Sequence, residues 1–369
     1  MTFLKKALAA TAIVALGAAG ISQVDLAKAA DKLKVAFVYV GPVNDGGWNS
    51  AHYAGQQAVE KEFGDKVETV KVENVPETAD AERVETQLAQ QGAGLVFATS
   101  FGFMDQTVNV AKQFPKAKFE HCCGFKVGSN MSVYNIRFYE SRTVQGTLAG
   151  MLTKSHVIGY IASFPIPEVI MGIDSFALAL RKVDPKATIK VVWVNTWYDP
   201  GKEADAAKAL MDQGADVIAQ HTDSPAAVQA AEARGVYSFG EASDMSSFGP
   251  THLVTSEVDV WSVFYTGEVK AVLDGTWKAC EKPFDSCAWW GLKEGALVVP
   301  DVNKNLPKDV QEAGAKVREE IRSGKRLPFA GPIKDQSGKV IVPEGQALTD
   351  EQIFNLNYYV EGVEGEVPK

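Results

Sequence analysis

The feature that most constrains the fold is a regular alternation of short apolar runs with amphipathic stretches. It begins at Leu33–Val40, where six of eight residues are apolar and three are valine. Such a run suits a strand buried on both faces of a parallel sheet. A helical pattern follows from Trp48 towards Phe63, and the same order repeats through short loops. The pattern predicts an α/β protein with mainly parallel sheets.

A second strand–helix series begins at Val157, directly after the helical stretch that carries Gly146 and Gly150. Two consecutive doubly wound units imply two similar Rossmann-like lobes with a cleft between them. The length of 369 residues allows two domains. The net charge of −9, without a basic stripe, argues against nucleic acid or an anionic membrane as partner.

The first 29 residues have the pattern of a signal peptide. Lys5 and Lys6 precede an apolar run, Ala7–Ile21, and a small-residue site follows at Ala27–Ala29. The alternative, a membrane anchor, is disfavoured because the run is short and rich in alanine. Without a cysteine near the cleavage site, we expect no lipid anchor. The sequence predicts a periplasmic protein cleaved near Ala29.

The cysteines suggest one disulfide. Cys280 and Cys287 bracket a short loop in a chain expected to be exported, so we predict that they are bonded. Cys122 and Cys123 are adjacent, and neighbouring cysteines rarely bridge, so we expect small buried side chains. Metal ligation with His121 is the alternative, but no spaced zinc pattern is present and we expect no metal.

Polar and aromatic side chains follow several predicted strands. In open α/β sheets ligands bind at the carboxyl ends of the strands. Trp48 and Trp197 follow strands of different lobes, so we expect the two rings to face each other across the cleft and to hold a planar heterocycle by stacking. Asn44 also suits a turn, and Asp105 also suits a helix cap. For these two residues a structural role and a ligand-binding role both stay open. The candidate ligand-binding residues are Tyr39, Asn44, Trp48, Phe101, Asp105, Trp197 and Asp244.

An enzyme is a weaker interpretation. His221 and Asp223 end a predicted strand and suit acid–base chemistry. The chain has no nucleophile elbow, zinc-protease, P-loop or dinucleotide-binding motif, so we expect no catalysis and no cofactor.

Several motifs together resemble those of one transporter family. The loop Asp45–Asn49 resembles a D-x-x-F-N stretch, Gln145–Gly150 an E-G-x-x-A-G helix, and Trp197–Pro200 an F-x-D-P segment. Further matching segments are Gly102–Asp105, Gly214–Val217 and Thr255–Ser256. In this order and spacing they resemble the basic membrane protein family of ABC-transporter substrate-binding proteins, which includes the purine nucleoside receptor A group. The similarity covers roughly residues 35–300.

The resemblance implies a type I periplasmic-binding-protein fold with two lobes and a three-strand hinge. It implies an N-terminal lobe of residues 30–136 plus 259–292, and a C-terminal lobe of residues 137–258 plus 293–362. It also implies a purine ligand between Trp48 and Trp197, with Asp105 and Asp244 binding the purine edge. We expect Asn44 to pair with the ring N–H and amino groups as well. The partners implied are a membrane permease and its ATPase, and we expect a monomer.

Two departures from the family pattern bear on the ligand. Both sandwich positions are tryptophan where phenylalanine is expected, and a lysine that holds the sugar in nucleoside receptors is matched by Asp259. We therefore expect a free purine base such as adenine, with a nucleoside as the alternative. A sugar-binding protein of the same fold, an extracytoplasmic sensor and a nucleoside hydrolase are the other hypotheses.

Overall fold

The computed structural model describes residues 32–368. The predicted signal peptide, residues 1–29, lies outside the described residues. Within 32–368, no helix is long and apolar enough to cross a membrane.

Strands and helices alternate through most of the described chain, as the apolar pattern predicts. The strands are β1 (Leu33–Val38), β2 (Val67–Val72), β3 (Leu95–Ala98), β4 (Lys118–Cys122), β5 (Met131–Ile136), β6 (Val157–Ala162), β7 (Thr188–Trp193), β8 (Val217–His221), β9 (Tyr237–Gly240), β10 (Leu253–Ser256), β11 (Val258–Asp259), β12 (Ala288–Trp290), β13 (Leu297–Val298), β14 (Ile333–Lys334) and β15 (Val340–Val342). The helices are α1 (Trp48–Phe63), α2 (Ala79–Gln90), α3 (Met104–Gln113), α4 (Phe138–Leu152), α5 (Pro167–Val183), α6 (Pro200–Asp212), α7 (Ala226–Arg234), α8 (Ser262–Leu273), α9 (Lys308–Arg322) and α10 (Asp350–Phe354).

Two parallel sheets organise the molecule. The first has six strands in the order β12-β5-β4-β3-β1-β2, and the second has five in the order β10-β9-β8-β6-β7. All neighbouring strands within these two sheets are parallel. We call the first sheet with α1, α2, α3 and α8 the first lobe, and the second sheet with α4 to α7 and α9 the second lobe. The predicted doubly wound α/β fold is confirmed.

The chain passes three times between the sheets. The first passage lies at Arg137, the second at residues 257–261 and the third at residues 291–298. The second and third passages pair as a short antiparallel ladder, β11 with β13. The strands of both sheets fall within the ranges expected for the two lobes, and the exact division stays a prediction.

Helices α4 and α5 of the second lobe pack closely together. A Cβ atom on Gly146 of α4 would overlap the carbonyl group of Phe176 in α5, so glycine permits the two helices to touch. This contact sets the position of α4, whose Arg142 side chain is completely buried.

The C-terminal region contains elements that the sequence pattern left unplaced. Helix α9 buries Val310, Gly314, Val317 and Ile321, spaced by three or four residues along one face. That spacing is a helix signal, but it stands in a charged segment rich in Gly and Pro. The last helix, α10, is short and ends at Phe354.

The C-terminal segment touches both lobes. The ring of Phe354 packs 5.1 Å from that of Phe284 and 5.8 Å from that of Trp289, both near the edge strand β12. Five residues later, the hydroxyl of Tyr359 accepts a hydrogen bond of 3.1 Å from Trp193 Nε1 in β7.

Candidate functional site

A narrow cavity lies between the carboxyl ends of the two sheets. The space open to a water-sized sphere there is about 10 Å³, so the walls of the cavity lie close together. The residues that line it follow strands β1, β3 and β4 of the first lobe and β6 to β9 of the second. They are Trp48, Ser100, Phe101, Cys123, Glu168, Trp197, His221, Asp223 and Glu241. This is the position at which parallel α/β sheets bind ligands.

Trp48 forms part of the first-lobe wall. It is the first residue of α1 and is 9% exposed. Its Nε1 donates a hydrogen bond of 2.8 Å to the carbonyl oxygen of Thr99 at the end of β3. The rings of His52 and Trp261 pack against it nearly at right angles, with centroids 4.5 and 5.4 Å away. The ring is therefore fixed within its own lobe before any ligand arrives.

The turn that presents Trp48 is held by Asp45. The buried Asp45 carboxylate accepts hydrogen bonds from the backbone N–H groups of Gly47, Asn49 and Ser50, at 2.9 to 3.0 Å. A carboxylate that pairs with the free N–H groups of a first helical turn stabilises the helix start.

Trp197 belongs to the second-lobe wall. It stands on the loop between β7 and α6, is half-buried, and meets the ring of Phe164 edge-on at 5.0 Å. Its Nε1 donates to Glu77 Oε2 of the first lobe at 3.1 Å. Asp199 caps the following helix by accepting from the N–H of Lys202 at 3.0 Å, as its position before Pro200 indicates.

Three of the sequence-predicted ligand residues therefore line one cavity: Trp48, Phe101 and Trp197. Rings from both lobes meet there because each follows a strand whose carboxyl end faces the cleft.

The structure places the other four predicted residues elsewhere. Tyr39 is completely buried, and its hydroxyl donates to Gln56 Oε1 at 2.8 Å inside the first lobe. Asn44 is exposed. Asp105 is exposed and forms an ion pair with Lys126.

Asp244 is also exposed, and its carboxylate accepts from the backbone N–H of Ser246 at 2.9 Å. Neither Asp105 nor Asp244 is among the cavity-lining residues. Both carboxylates are exposed, Asp105 in the first turn of α3 and Asp244 in the loop after β9, and water solvates them there at little cost.

The cavity acids are different residues: Glu168, Asp223 and Glu241. The sequence pattern indicates Asp223 only for acid–base chemistry. In the segment after β9 it favours Asp244 as a ligand residue, whereas Glu241 is the residue that lines the cavity. A usable signal is distance from the strand: Glu241 follows β9 directly, whereas Asp244 comes four residues after it. Glu168 stands in the first turn of α5, directly after Pro167.

A buried arginine lies behind these acids. The side chain of Arg142 is ion-paired with Glu241, and its Nε lies 3.5 Å from Glu257 Oε2. The Nη1 atom of Arg142 also donates to Gln145 Oε1 at 2.9 Å. A guanidinium without water needs such partners, because an unpaired buried charge is strongly destabilising. The ion pairs place Glu241 in one orientation at the cavity wall.

Burial shifts the pKa values of the remaining cavity groups. Loss of solvation raises the pKa of Glu168 to about 8. It also raises the pKa of Asp223, with a further rise from the negative charges of Asp45 and Glu203. The pKa of His221 falls to about 3, first through burial and then through the positive charge of Arg142. At neutral pH His221 is therefore neutral and Glu168 is mostly protonated.

Several polar atoms at the cavity have no hydrogen-bond partner within the described part of the protein. They are Glu168 Oε2, His221 Nδ1 and Asp223 Oδ2, all on side chains less than 5% exposed. Buried polar atoms are normally paired, and each unpaired atom carries a cost in free energy. The arrangement therefore suits a ligand whose polar edge pairs with them.

The two cysteine pairs have different settings. The Sγ atoms of Cys280 and Cys287 lie at disulfide distance, with Cα atoms 5.0 Å apart. The sulfurs of Cys122 and Cys123 also lie within disulfide distance, which the rarity of adjacent bridges had not led us to expect. Nε2 of the neighbouring His121 is hydrogen-bonded to the carbonyl oxygen of Ser100 at 2.9 Å. Among residues 32–368, no three His, Cys, Asp or Glu side chains are grouped as metal ligands.

Two parallel sheets joined by three passages, with an aromatic and acidic cavity at their facing edges, define a solute-binding protein of the type I periplasmic-binding class. Residues 32–327 match the family described as Bmp, ABC transporter substrate-binding protein PnrA-like, and the chain belongs to this family. Its members work outside the cytoplasm and deliver a small molecule to an ABC permease and ATPase.

Known relatives cover nearly the whole chain. A purine-binding protein of Brucella abortus (strain 2308) is 49% identical over 343 residues, covering 93% of this chain and 96% of the relative. A putative ABC transporter glucose-binding protein of Haloferax volcanii is 38% identical, covering 92% of this chain and 82% of the relative. A solute-binding protein structure from Aeropyrum pernix K1 aligns with a TM-score of 0.67 over 81% of this chain and 94% of that chain, at 18% identity.

Proposed function

We propose that this chain captures a free purine base, adenine or a close analogue, for an ABC importer. The observation that carries the proposal is the cavity between Trp48 and Trp197, whose remaining wall is lined with buried, partly unpaired acids. The relative named as a purine-binding protein, at 49% identity, supports the same ligand class.

The aromatic walls account for affinity. A planar ring held between two indole rings gains stacking energy on the order of 1–3 kcal/mol for each face, as measured for nucleic-acid bases on aromatic side chains. Phe101 adds apolar surface at the same wall. A flat heterocycle satisfies this geometry.

The acids account for selectivity. Glu241, ion-paired with Arg142, supplies acceptor oxygens. The raised pKa values of Glu168 and Asp223 favour their protonated forms, each of which supplies one O–H donor and keeps an acceptor oxygen. Adenine presents an exocyclic amino group and a ring N–H as donors, together with ring nitrogens as acceptors. An oxo group in place of the amino group would face a carboxylate oxygen without a shared proton, which is costly in a buried site.

Binding is coupled to closure of the two lobes in this proposal. A ligand that contacts Trp48 and Trp197 at once stabilises the closed arrangement, because only that arrangement brings both walls together. The chain then delivers its ligand to the permease, without chemical change. We propose export through the signal peptide of residues 1–29, with no lipid anchor, and function as a monomer.

A second candidate ligand is a sugar. The relative from Haloferax volcanii is named as a putative glucose-binding protein, and paired aromatic rings with carboxylates also hold pyranoses. A purine nucleoside is the nearer alternative, because it shares the base.

The decisive experiment identifies the ligand and then measures its affinity. Mass spectrometry of the small molecule released on denaturation should detect a purine base. Isothermal titration calorimetry on the ligand-stripped protein should then rank adenine above adenosine and hypoxanthine, with glucose not bound. Binding of glucose but no purine overturns the proposal.

Matched variants test the site residues. Asp223→Asn should weaken adenine binding about tenfold or more, because the amide has two N–H donors where the carboxyl group has at most one O–H donor. Asp244→Asn and Asp105→Asn alter exposed carboxylates outside the cavity and should leave affinity within about twofold. If Asp105→Asn and Asp244→Asn weaken adenine binding more than Asp223→Asn does, then Asp105 and Asp244 recognise the ligand and Asp223 does not.

A further inference from the structure

We propose that Glu77 is a positioning residue that orients Trp197 from the opposite lobe. The inference rests on the proposed function, because it assigns Glu77 a role in the stacking of the ligand. Glu77 is not among the cavity-lining residues, and it acts through Trp197.

Glu77 is itself held firmly. It stands on the first-lobe loop between β2 and α2. Its Oε1 accepts hydrogen bonds from Ser100 Oγ at 2.5 Å and from the backbone N–H of Gly102 at 3.0 Å. Its Oε2 accepts from Trp197 Nε1 at 3.1 Å. Both oxygens are therefore used, one within the lobe and one across the cleft.

A contact with the opposite lobe matters more for the orientation of the Trp197 ring than for that of the Trp48 ring. The Trp48 N–H is paired with Thr99 of its own lobe, whereas the Trp197 N–H is paired with the first lobe. Trp197 stands on a loop and is half-buried, so its own lobe surrounds it less completely. An indole has a single N–H group, and fixing its direction restricts rotation of the ring.

The geometry gives the two walls different roles. The Trp48 ring has a fixed orientation, which packing within the first lobe determines. Trp197 reaches its stacking orientation when the lobes close and Glu77 accepts a hydrogen bond from its indole N–H group. Glu77 thereby couples ring orientation to closure, and the same contact stabilises the closed form.

A double-mutant cycle tests this coupling. A glutamine side chain keeps the shape of glutamate but offers one acceptor oxygen in place of two, so Glu77→Gln should weaken adenine binding about tenfold. In a Trp197→Phe background, which keeps an aromatic plate but has no N–H, Glu77→Gln should change affinity less than about twofold. Equal effects in both backgrounds would overturn the proposal. Glu82→Gln, on the surface of α2, is the matched control and should have no effect in either background.

A second readout does not need the purine. In protein labelled with ¹⁵N at the indole nitrogens, the Trp197 resonance is identified by its loss in Trp197→Phe. In Glu77→Gln protein that retains its co-purified ligand, and so stays closed, this resonance should shift and exchange faster with solvent, while the Trp48 resonance, identified through Trp48→Phe, stays unchanged. An unchanged Trp197 resonance overturns the role of Glu77 whatever the ligand is. Failure of the wild-type protein to bind adenine, with the shift present, overturns the purine assignment and leaves the Glu77 contact standing.

Discussion

Gly47 of the first lobe packs directly against the backbone of Asp223 of the second, so closely that a Cβ atom on residue 47 would overlap the Asp223 carbonyl group. Beside this contact, Ser243 Oγ of the second lobe donates a hydrogen bond of 2.8 Å to the Gly47 carbonyl oxygen. Backbone therefore meets backbone at the mouth of the cavity, next to Trp48 on one side and next to a cavity acid on the other. Only a residue without a side chain permits this approach.

Gly47→Ala should therefore disfavour the closed form. We expect adenine affinity to fall between about tenfold and a hundredfold, because the added methyl group collides with the opposite lobe only when the lobes meet. Calorimetric titration measures the loss. The control is Gly267→Ala in α8, where an added Cβ meets no atom within 4 Å. Wild-type affinity in Gly47→Ala would show that this contact is not required for binding.

Loss of the two tryptophans should have unequal effects on folding. Trp197→Ala should weaken adenine binding about tenfold and change the free energy of unfolding little, because the ring is half-buried. Trp48→Ala should weaken binding and also cost about 3 kcal/mol of stability, because it empties a packed position beside His52 and Trp261. Titration and thermal unfolding of both variants separate the two effects. Equal losses of stability would contradict the different packing of the two rings.

Glu85 should make folding stability depend on pH. Its side chain is completely buried between α2 and α3, where Oε1 accepts from Thr107 Oγ1 at 3.0 Å. Burial raises the pKa of Glu85 from an ordinary value of 4.5 to about 8. The folded state thus holds the proton more tightly than the unfolded state. The stabilisation is complete below about pH 4.5 and is lost as the pH rises through 8.

Denaturant unfolding of Glu85→Gln checks this sign. The amide imitates the protonated acid, so the variant should lose less stability than the wild type between about pH 5 and 8, by up to about 1.4 kcal/mol per pH unit. Glu62→Gln, at an exposed position of α1, is the control. Parallel pH profiles for wild type and Glu85→Gln would refute the assignment.

The loop between Cys280 and Cys287 should be held by a disulfide. A bridge that closes so short a loop stabilises a protein by roughly 2 kcal/mol, and here Phe284 within the loop packs on Trp289 and Phe354. The double variant Cys280→Ser/Cys287→Ser should unfold at a lower temperature. Alkylation of the unreduced, denatured wild type followed by peptide mass spectrometry should find both thiols blocked. Labelling of Cys280 before reduction would contradict the bridge.

The periodicity of apolar residues was sufficient to predict the lobes. Strands such as Leu33–Val38 and Val157–Ala162 are so rich in buried apolar residues that only a sheet covered on both faces accommodates them. Trp48, Phe101 and Trp197 follow strand ends, and their position in the chain alone predicts that they lie near the cleft. Helix α9 shows the limit, since its one apolar face is sparse and charged residues surround it.

The direction of each acidic side chain was decided by the tertiary structure. Asp105 and Asp244 lie within four residues of the cavity residues Phe101 and Glu241 in the sequence, yet both carboxylates are exposed. Glu168, Asp223 and Glu241 line the cavity instead. A turn of one or two residues reverses a side chain, and no local pattern records which carboxylate a distant Arg142 will pair with. Strand positions follow from local hydrophobicity, whereas the polar wall of the cavity depends on contacts between residues about a hundred positions apart, such as Arg142 and Glu241.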